Sequence, residues 1–329
     1  MSLPHVAFEM HEQSQVGEAR RAAVRLAAQL GFDEVAAGRV ALIATELGGN
    51  LVRHAQQGRL LLGSVGGQVE LLSLDHGPGM ADVAACLRDG YSTGGTPGTG
   101  LGAVRRLADT FDLYSTVPGG TVILARVGPA ATGTIDAFDV GALALCAPGE
   151  TVCGDGWAVA QSGERAALIV ADGLGHGPHA HEAAVAATQA FERAPWQDPA
   201  LTLDQVHQRL RGTRGAAVAV TLLDRSGLSF CGAGNVAGRL ISGTGDRTLL
   251  SQHGTAGLQI RKPQAVQHAW PPHALLVLHS DGLHSRWHLD DARGLLQRHP
   301  TLVAAWLLRD HARGRDDVTV VVMKRNLER

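Results

Sequence analysis

Four acidic positions in the C-terminal half of this chain stand in short, glycine-flanked segments. Asp155 lies in Gly154-Asp155-Gly156, and Asp172 in Ala171-Asp172-Gly173-Leu174-Gly175-His176-Gly177. Asp281 lies in Ser280-Asp281-Gly282, and the pair Asp316-Asp317 precedes Val318-Thr319-Val320-Val321-Val322. Three of the four adjoin apolar runs of strand character. Strand ends are rigid, and carboxylates converging on them make an oxygen-donor site for hard divalent cations. A single Asp-Gly is commonly just a turn; a series of them beside apolar strands is not.

The N-terminal half carries a different set. Glu46 and Asn50 are four apart on a predicted helix, so both project from one face. A carboxylate there can act as a general base, and an amide oxygen one turn later can ligate Mg²⁺. Asp75-His76-Gly77-Pro78-Gly79 follows the apolar run from Val69 to Leu74. An Asp at a strand end can accept a hydrogen bond from an exocyclic amine, and the glycines let a ligand approach the backbone. Gly98-Thr99-Gly100-Leu101-Gly102 opens a further predicted helix, where free N–H groups and the helix dipole favour phosphate. Each piece alone is weak: a solvated helix face, a turn and a flexible linker. Their order and spacing carry the signal. Gly48 and Gly49, inside the first segment, each cost roughly 1 kcal/mol against Ala in a helix, which implies close packing or a loosened helix.

The elements that must position these residues follow from periodicity. Ser14 is the expected cap of a helix to about residue 30, stopped by Gly31, and Asp33 the cap of the next. Strands are expected near 59–64, 69–74, 111–116 and 121–127, a helix over 101–109, and a mobile loop over 89–100. From about residue 135 the pattern turns to many strands, near 140–146, 157–161, 166–171, 216–223, 228–231, 236–241 and 274–279. Helices are expected near 179–193, 203–211 and 300–312. His176, His179 and His181 read as exposed imidazoles on a loop and first helical turn, with metal ligation, or proton donation by His176, as the alternatives; Asn235 reads as a turn residue, with a place at the active-site rim as the alternative.

The N-terminal segments, together with Gly90-Tyr91-Ser92-Thr93 and Arg105-Arg106-Leu107-Ala108-Asp109, resemble the GHKL (Bergerat) ATP-binding group, specifically the RsbT-type serine/threonine kinases. The resemblance implies Glu46 as general base, Asn50 as Mg²⁺ ligand and Asp75 as adenine reader. It implies Gly77 and Gly79 shaping the adenine pocket, and Gly98, Thr99, Gly100, Leu101 and Gly102 lining the phosphate lid. Arg105 would contact the γ-phosphate or a partner. The C-terminal segments stand in the order found in the PPM-type metal-dependent serine/threonine phosphatases, and resemble their SpoIIE/RsbX branch. That resemblance implies that Asp155, Asp172, Asp281 and Asp316, with the carbonyl of Gly173, hold two Mn²⁺ or Mg²⁺ ions, and that water attacks phosphorus directly. Asp317 remains open as the alternative to Asp316.

The implied fold is α+β: a Bergerat α/β sandwich over 1–128, a linker over 129–134, and a PPM-like α-β-β-α sandwich over 135–329. The implied function is a bifunctional regulator of bacterial partner switching. ATP-dependent phosphorylation of a STAS-domain protein, either a stressosome scaffold or an anti-sigma antagonist, would be opposed by dephosphorylation. A downstream phosphatase or sigma-pathway regulator would be a further partner. The alternatives are a phosphatase whose N-terminal domain only binds ATP or a partner, and an anti-sigma module.

Bulk properties exclude several classes. The 329 residues suit about two domains. A formal net charge of −2 does not mark a nucleic-acid binder. Aromatic residues make up only 4% of the chain, so aliphatic side chains must fill the cores. The four cysteines form no C-x-x-C pair and read as reduced thiols in a cytoplasmic protein. The first residues do not resemble a signal peptide, and no apolar run approaches the ~20 residues of a membrane span.

Overall fold

Residues 4–88, 100–129, 137–224 and 227–326 are described in the computed structural model. They fall into two units, His5–Thr132 and Gly133–Arg329.

The N-terminal unit runs β1 (Val6–Glu9), α1 (Gln13–Gln29), α2 (Glu34–His54), β2 (Arg59–Val65), β3 (Gln68–Asp75), α3 (Val83–Cys86), α4 (Gly100–Leu107), β4 (Thr110–Thr116) and β5 (Gly120–Val127). Its antiparallel sheet has the order β1-β2-β3-β5-β4. Alternate residues such as Leu60, Leu62, Leu71, Ile123 and Ala125 point to one face, where they meet the helices. The helical spacing of Val40, Ile43, Ala44, Leu47 and Leu51 turns one side of α2 into the same core. By length and composition alone α2 could cross a membrane, but this apolar side is spent on the core of the unit.

Asp33 caps α2 as expected, its carboxylate accepting from the Ala36 N–H at 2.7 Å. The cap of α1 is Glu12 rather than Ser14: Gln15 accepts from the Glu12 N–H at 2.9 Å, and Ser14 Oγ bonds the Glu12 carboxylate. A Glu with Gln three residues on makes the reciprocal cap that a Ser-first search overlooks. The Gly48-Gly49 pair does not interrupt α2. A Cβ at Gly48 would fall 3.1 Å from Val16 Cγ1, so the glycine lets α1 and α2 approach closely.

The C-terminal unit begins with β6 (Phe138–Leu145), β7 (Asp155–Ser162) and β8 (Arg165–Gly173), followed by α5 (Pro178–Arg193) and α6 (Pro199–Arg209). Next come β9 (Ala216–Asp224), β10 (Gly227–Ala233), β11 (Ala237–Ile241), β12 (Asp246–Leu249), β13 (Gly254–Thr255), β14 (Gln259–Ile260), β15 (Val266–His268) and β16 (Leu275–His279). A 3₁₀ segment (Asp290–Gln297), α7 (Pro300–His311) and β17 (Val318–Arg325) complete it. One sheet has the order β15-β10-β9-β8-β7, the other β12-β11-β16-β17-β6.

The sequence of β8 explains the layering. Ala166, Leu168 and Val170 face the opposite sheet, meeting Leu276, Leu278, Val321 and Met323. Ala167, Ile169 and Ala171 face α5 and α6, meeting Ala183, Ala187, Leu203 and Val206. A strand buried on both faces reads as a continuous apolar run, as this one does. With α7 against β6 and β17, the layers are α-β-β-α.

Some details depart from the expectation. α6 starts at Pro199 under an Asp198 cap, about one turn before the expected start at 203, because Pro suits the first helical position. The short strands β12 to β15 were not expected; two to four polar residues carry no period of their own.

Candidate functional site

The register of β7 against β8 places Asp155 directly opposite Asp172. Two like charges so paired repel each other, and a sheet tolerates them only with compensation. Asp155 is buried, at 5% exposure. Its Oδ2 accepts from Ser280 Oγ at 2.6 Å, and Ser280 Oγ in turn accepts from the Thr319 N–H at 2.9 Å. The Asp281 N–H points to Asp172 Oδ2 at 3.5 Å. Ser280 and Asp281 follow β16, and Asp316 precedes β17, so the second sheet brings its acids to the end of the first. Gly173 closes β8, its N–H bonded to the Gly154 carbonyl at 3.1 Å.

The electrostatics follow from this packing. Burial, and then the Asp172 charge, push the Asp155 carboxyl well above the usual carboxylate range. Burial, followed by the Asp281 charge, pushes Asp172 up to about 7. Among the described residues no Arg or Lys forms an ion pair with Asp155, Asp172, Asp281 or Asp316. An all-oxygen, all-anionic donor set of this kind, with Asp155 buried and Asp172, Asp281 and Asp316 half-buried, fits hard divalent cations.

Asp316 and its neighbour have separate surroundings. Asp317 is 3% exposed, and its Oδ1 accepts from the Ala147 N–H at 2.8 Å, tying β17 to the end of β6. Asp316 is half-buried and accepts from the Asp317 N–H at 2.9 Å. Asp317 is thus tied to the backbone at the end of β6, while Asp316 keeps the more open carboxylate, and the charges of both reach Asp172.

One residue at this site, Glu150, escaped the sequence reading, and Asn235 was read first as a turn residue, with the rim of the site as the alternative. Asn235 donates from Nδ2 to Asp281 Oδ2 at 2.6 Å and orients that carboxylate. Glu150 pairs with His176 Nδ1 at 2.7 Å, so this imidazole is held rather than loose. His181 Nδ1 contacts the Cys153 carbonyl at 2.8 Å. The phrase Gly232-Ala233-Gly234-Asn235 was the one visible signal for Asn235.

In the N-terminal unit, α2 carries Glu46 and Asn50 on one half-buried face. The start of α4 lies against both. A Cβ at Gly100 would stand 2.7 Å from Glu46 Oε2 and 3.8 Å from the Asn50 amide, so only glycine fits there without displacement. Leu101 is half-buried, Gly102 buried and Arg105 exposed on α4. Arg53 Nη2 donates to Asn50 Oδ1 at 3.1 Å. Asp75 ends β3, and its Oδ1 accepts from the Gly77 N–H at 2.7 Å. A Cβ at Gly77 would lie 3.1 Å from the His54 carbonyl, which places this turn at the C-terminal end of α2, one turn beyond Asn50. Gly79 lies against the Thr116 carbonyl of β4. Gly98 and Thr99 fall outside the described residues, as does most of the expected lid.

Missed altogether was a buried triad in the same sheet. Glu70, with 0% exposure, bonds Arg126 Nε at 2.6 Å and His5 Nε2 at 2.9 Å. Burial alone would raise its pKa, but the Arg126 guanidinium and the His5 ring hold it at about 2. It already faces the Arg126 guanidinium and has a structural role.

Comparison with known proteins agrees with these two centres. Residues 10–127 match the family described as histidine kinase-like ATPase domain, and residues 162–326 match stage II sporulation protein E, SpoIIE. The serine/threonine-protein kinase RsbT of Bacillus subtilis is 34% identical over 111 residues, which cover 32% of this chain and 84% of the relative. The phosphoserine phosphatase RsbX of Bacillus subtilis is 25% identical over 138 residues, 41% of this chain and 69% of the relative. A solved structure of RsbX with magnesium shares the fold at TM-score 0.52 and 21% identity, covering 59% of this chain and 98% of that one. A chain solved in a description of the bacterial stressosome as a system adapted to secondary-messenger signalling matches at TM-score 0.54 and 27% identity. It covers 57% of this chain and 99% of that one.

The C-terminal unit is thus a PPM-type serine/threonine phosphatase domain, and the N-terminal unit a GHKL-like ATPase domain. The chain belongs to the SpoIIE phosphatase family through the former and joins to it an RsbT-like kinase domain, an architecture that fits a partner-switching regulator.

Proposed function

We propose that this chain sets the phosphorylation state of a STAS-domain protein from both directions. The N-terminal domain, residues 1–128, transfers phosphate from ATP to a serine or threonine; the C-terminal domain, 135–329, removes it; residues 129–134 join them. The observation that carries this reading is that each half keeps its acids in a working arrangement. Glu46 and Asn50 face the start of α4 in one half, and Asp155 and Asp172 lie paired across β7 and β8 in the other.

In the kinase half, Glu46 accepts the proton of the incoming hydroxyl, and Asn50 would hold Mg²⁺. Asp75 reads adenine beside Gly77 and Gly79. Gly100, Leu101 and Gly102 offer backbone to the phosphates, with Arg105 outside them. In the phosphatase half, Asp155, Asp172, Asp281, Asp316 and the Gly173 carbonyl would hold two Mn²⁺ or Mg²⁺ ions, which supply Lewis-acid activation of water when bound. Ser280 fixes the Asp155 carboxylate and Asn235 that of Asp281, so both acids are set before a cation arrives. Keeping both activities on one chain raises the effective concentration of each near a shared substrate.

The test is the intact mass of a STAS-domain protein incubated with this chain, ATP and Mg²⁺, with Mn²⁺ in a parallel set. Asp172→Ala is expected to let phosphate accumulate on the STAS protein, and added wild type to remove it. Glu46→Ala is expected to abolish the accumulation while ATP still binds. Accumulation that persists in Glu46→Ala removes the assigned base. ATP binding with no transfer under any condition leaves the N-terminal domain a binding switch.

A further inference from the structure

Behind the acidic site lies a second cluster of potential ligands with different chemistry. Cys146 follows β6, Cys153 lies two residues before Asp155, and Asp317 sits just before β17. One ligand atom from each lies within 4.8 Å of the other two. Ligand atoms around a tetrahedral Zn²⁺, with bonds of about 2.0–2.3 Å, are roughly 3.5 Å apart, so small side-chain movements close the cluster on one ion.

The cluster has more than proximity. Asp317 is 3% exposed, and Oδ1 is occupied by the Ala147 N–H at 2.8 Å. Its Oδ2 is enclosed beside Gly154 and the Cys153 thiol and takes no well-formed hydrogen bond from either. A sealed carboxylate oxygen without a well-formed hydrogen bond is costly and calls for a cation or proton. Cys153 Sγ is buried, makes a long contact of 3.6 Å to the Leu145 carbonyl, and lies against the Cys146 thiol and the Asp317 carboxylate. Cys146 is half-exposed, which leaves an entry path.

Among the described residues this is the one group of three or more His, Cys, Asp or Glu side chains whose ligand atoms converge so closely. The donor set separates it from its neighbour. Four carboxylates select Mg²⁺ or Mn²⁺, whereas two thiolates and one carboxylate select a soft or borderline cation.

We propose that Cys146, Cys153 and Asp317 form a binding site for a thiophilic divalent cation of the Zn²⁺ class, directly behind the catalytic carboxylates. Binding replaces two thiol protons with metal–sulfur bonds and releases both protons to solvent. No electron transfer is involved. Asp317 completes the coordination from the strand that also delivers Asp316, so the soft site is built into the support of the hard one.

Co²⁺ titrated into the reduced full-length chain, with saturating Mg²⁺ present to occupy the carboxylates, tests this. The expected result is a sulfur-to-cobalt charge-transfer band with intense tetrahedral d–d absorption, saturating at one equivalent and displaced by Zn²⁺. Cys146→Ser and Cys153→Ser should each abolish the charge-transfer band, while Cys86→Ser and Cys231→Ser should keep it. Asp317→Asn, checked for folding by circular dichroism, should weaken Co²⁺ binding at least tenfold with the band position shifted. Absence of a charge-transfer band in the wild type, or a band that survives Cys146→Ser, overturns the assignment.

Discussion

Glu70 in the N-terminal unit and Asp155 in the C-terminal unit are both carboxylates closed off from water, at 0% and 5% exposure. Their surroundings differ. Glu70 is met by Arg126 at 2.6 Å and His5 at 2.9 Å, and its pKa is held at about 2. Asp155 faces Asp172 across the strands, and its pKa is driven up by burial and by that neighbour. One centre has its cation built in; the other holds a surplus of negative charge that a proton or an added cation must neutralise. Burial of an acid thus does not mark a site. A buried acid that lacks a cationic partner among the described residues does.

The largest effect that could break this contrast is Arg126→Met. It strands a buried carboxylate, and a loss of roughly 3–5 kcal/mol from the N-terminal unit is expected in urea unfolding followed by far-UV circular dichroism. A loss under 1 kcal/mol would mean that the triad is not the support described here.

Next is pH dependence in the metal-free chain, where the two centres should slope in opposite directions. Glu70 has a folded pKa below its ordinary 4.5, so its contribution is present above pH 4.5 and disappears as pH falls toward about 2. On its shift this amounts to about 3 kcal/mol. Asp172 has a folded pKa of about 7 against an ordinary 3.8. Between those values the folded state binds the extra proton, so stability of the C-terminal unit falls as pH rises. Saturating Mn²⁺ should reverse that slope. All five tryptophans, Trp157, Trp196, Trp270, Trp287 and Trp306, lie in the C-terminal unit, so their fluorescence follows it alone.

Asp172→Asn sharpens the same point. At pH 8 without metal it should stabilise the C-terminal unit by on the order of 1–2 kcal/mol, by removing a charge that burial and Asp281 disfavour. Phosphate release from a phosphorylated STAS protein should fall to background in the same variant. Stabilisation combined with lost activity is the mark of a group kept for function. The smallest effect is expected from Asn235→Ala, which frees the Asp281 carboxylate. Mn²⁺ affinity should drop about 10-fold with little change in melting temperature.

Asp155, Asp172 and Asp281 were legible because each stands in a local pattern, an Asp and Gly beside an apolar strand. The layering of β8 was legible for the same reason, since continuous apolar runs report burial on both faces. The supporting contacts were not. Asn235 reaches Asp281 across 46 residues, and Glu70 reaches Arg126 across 56, and nothing local to any of these residues announces its partner. Glu70 stands between Val69 and Leu71, where the alternation of a strand accommodates a polar residue without marking it. Only the pairing of β3 with β5, which sets Glu70 opposite Arg126, reveals that this face is closed.

The pairing of Asp155 with Asp172 has a consequence for how the chain matures. Sliding β7 by one residue along β8 would turn Asp155 to the opposite face and put Gly156 or Gly154 in its place. A divalent ion that needs both carboxylates therefore rewards one alignment of these strands and no other. Metal availability then acts as a folding checkpoint: newly made chains that have mispaired at this edge gain nothing from the ion, and those that have aligned are locked in.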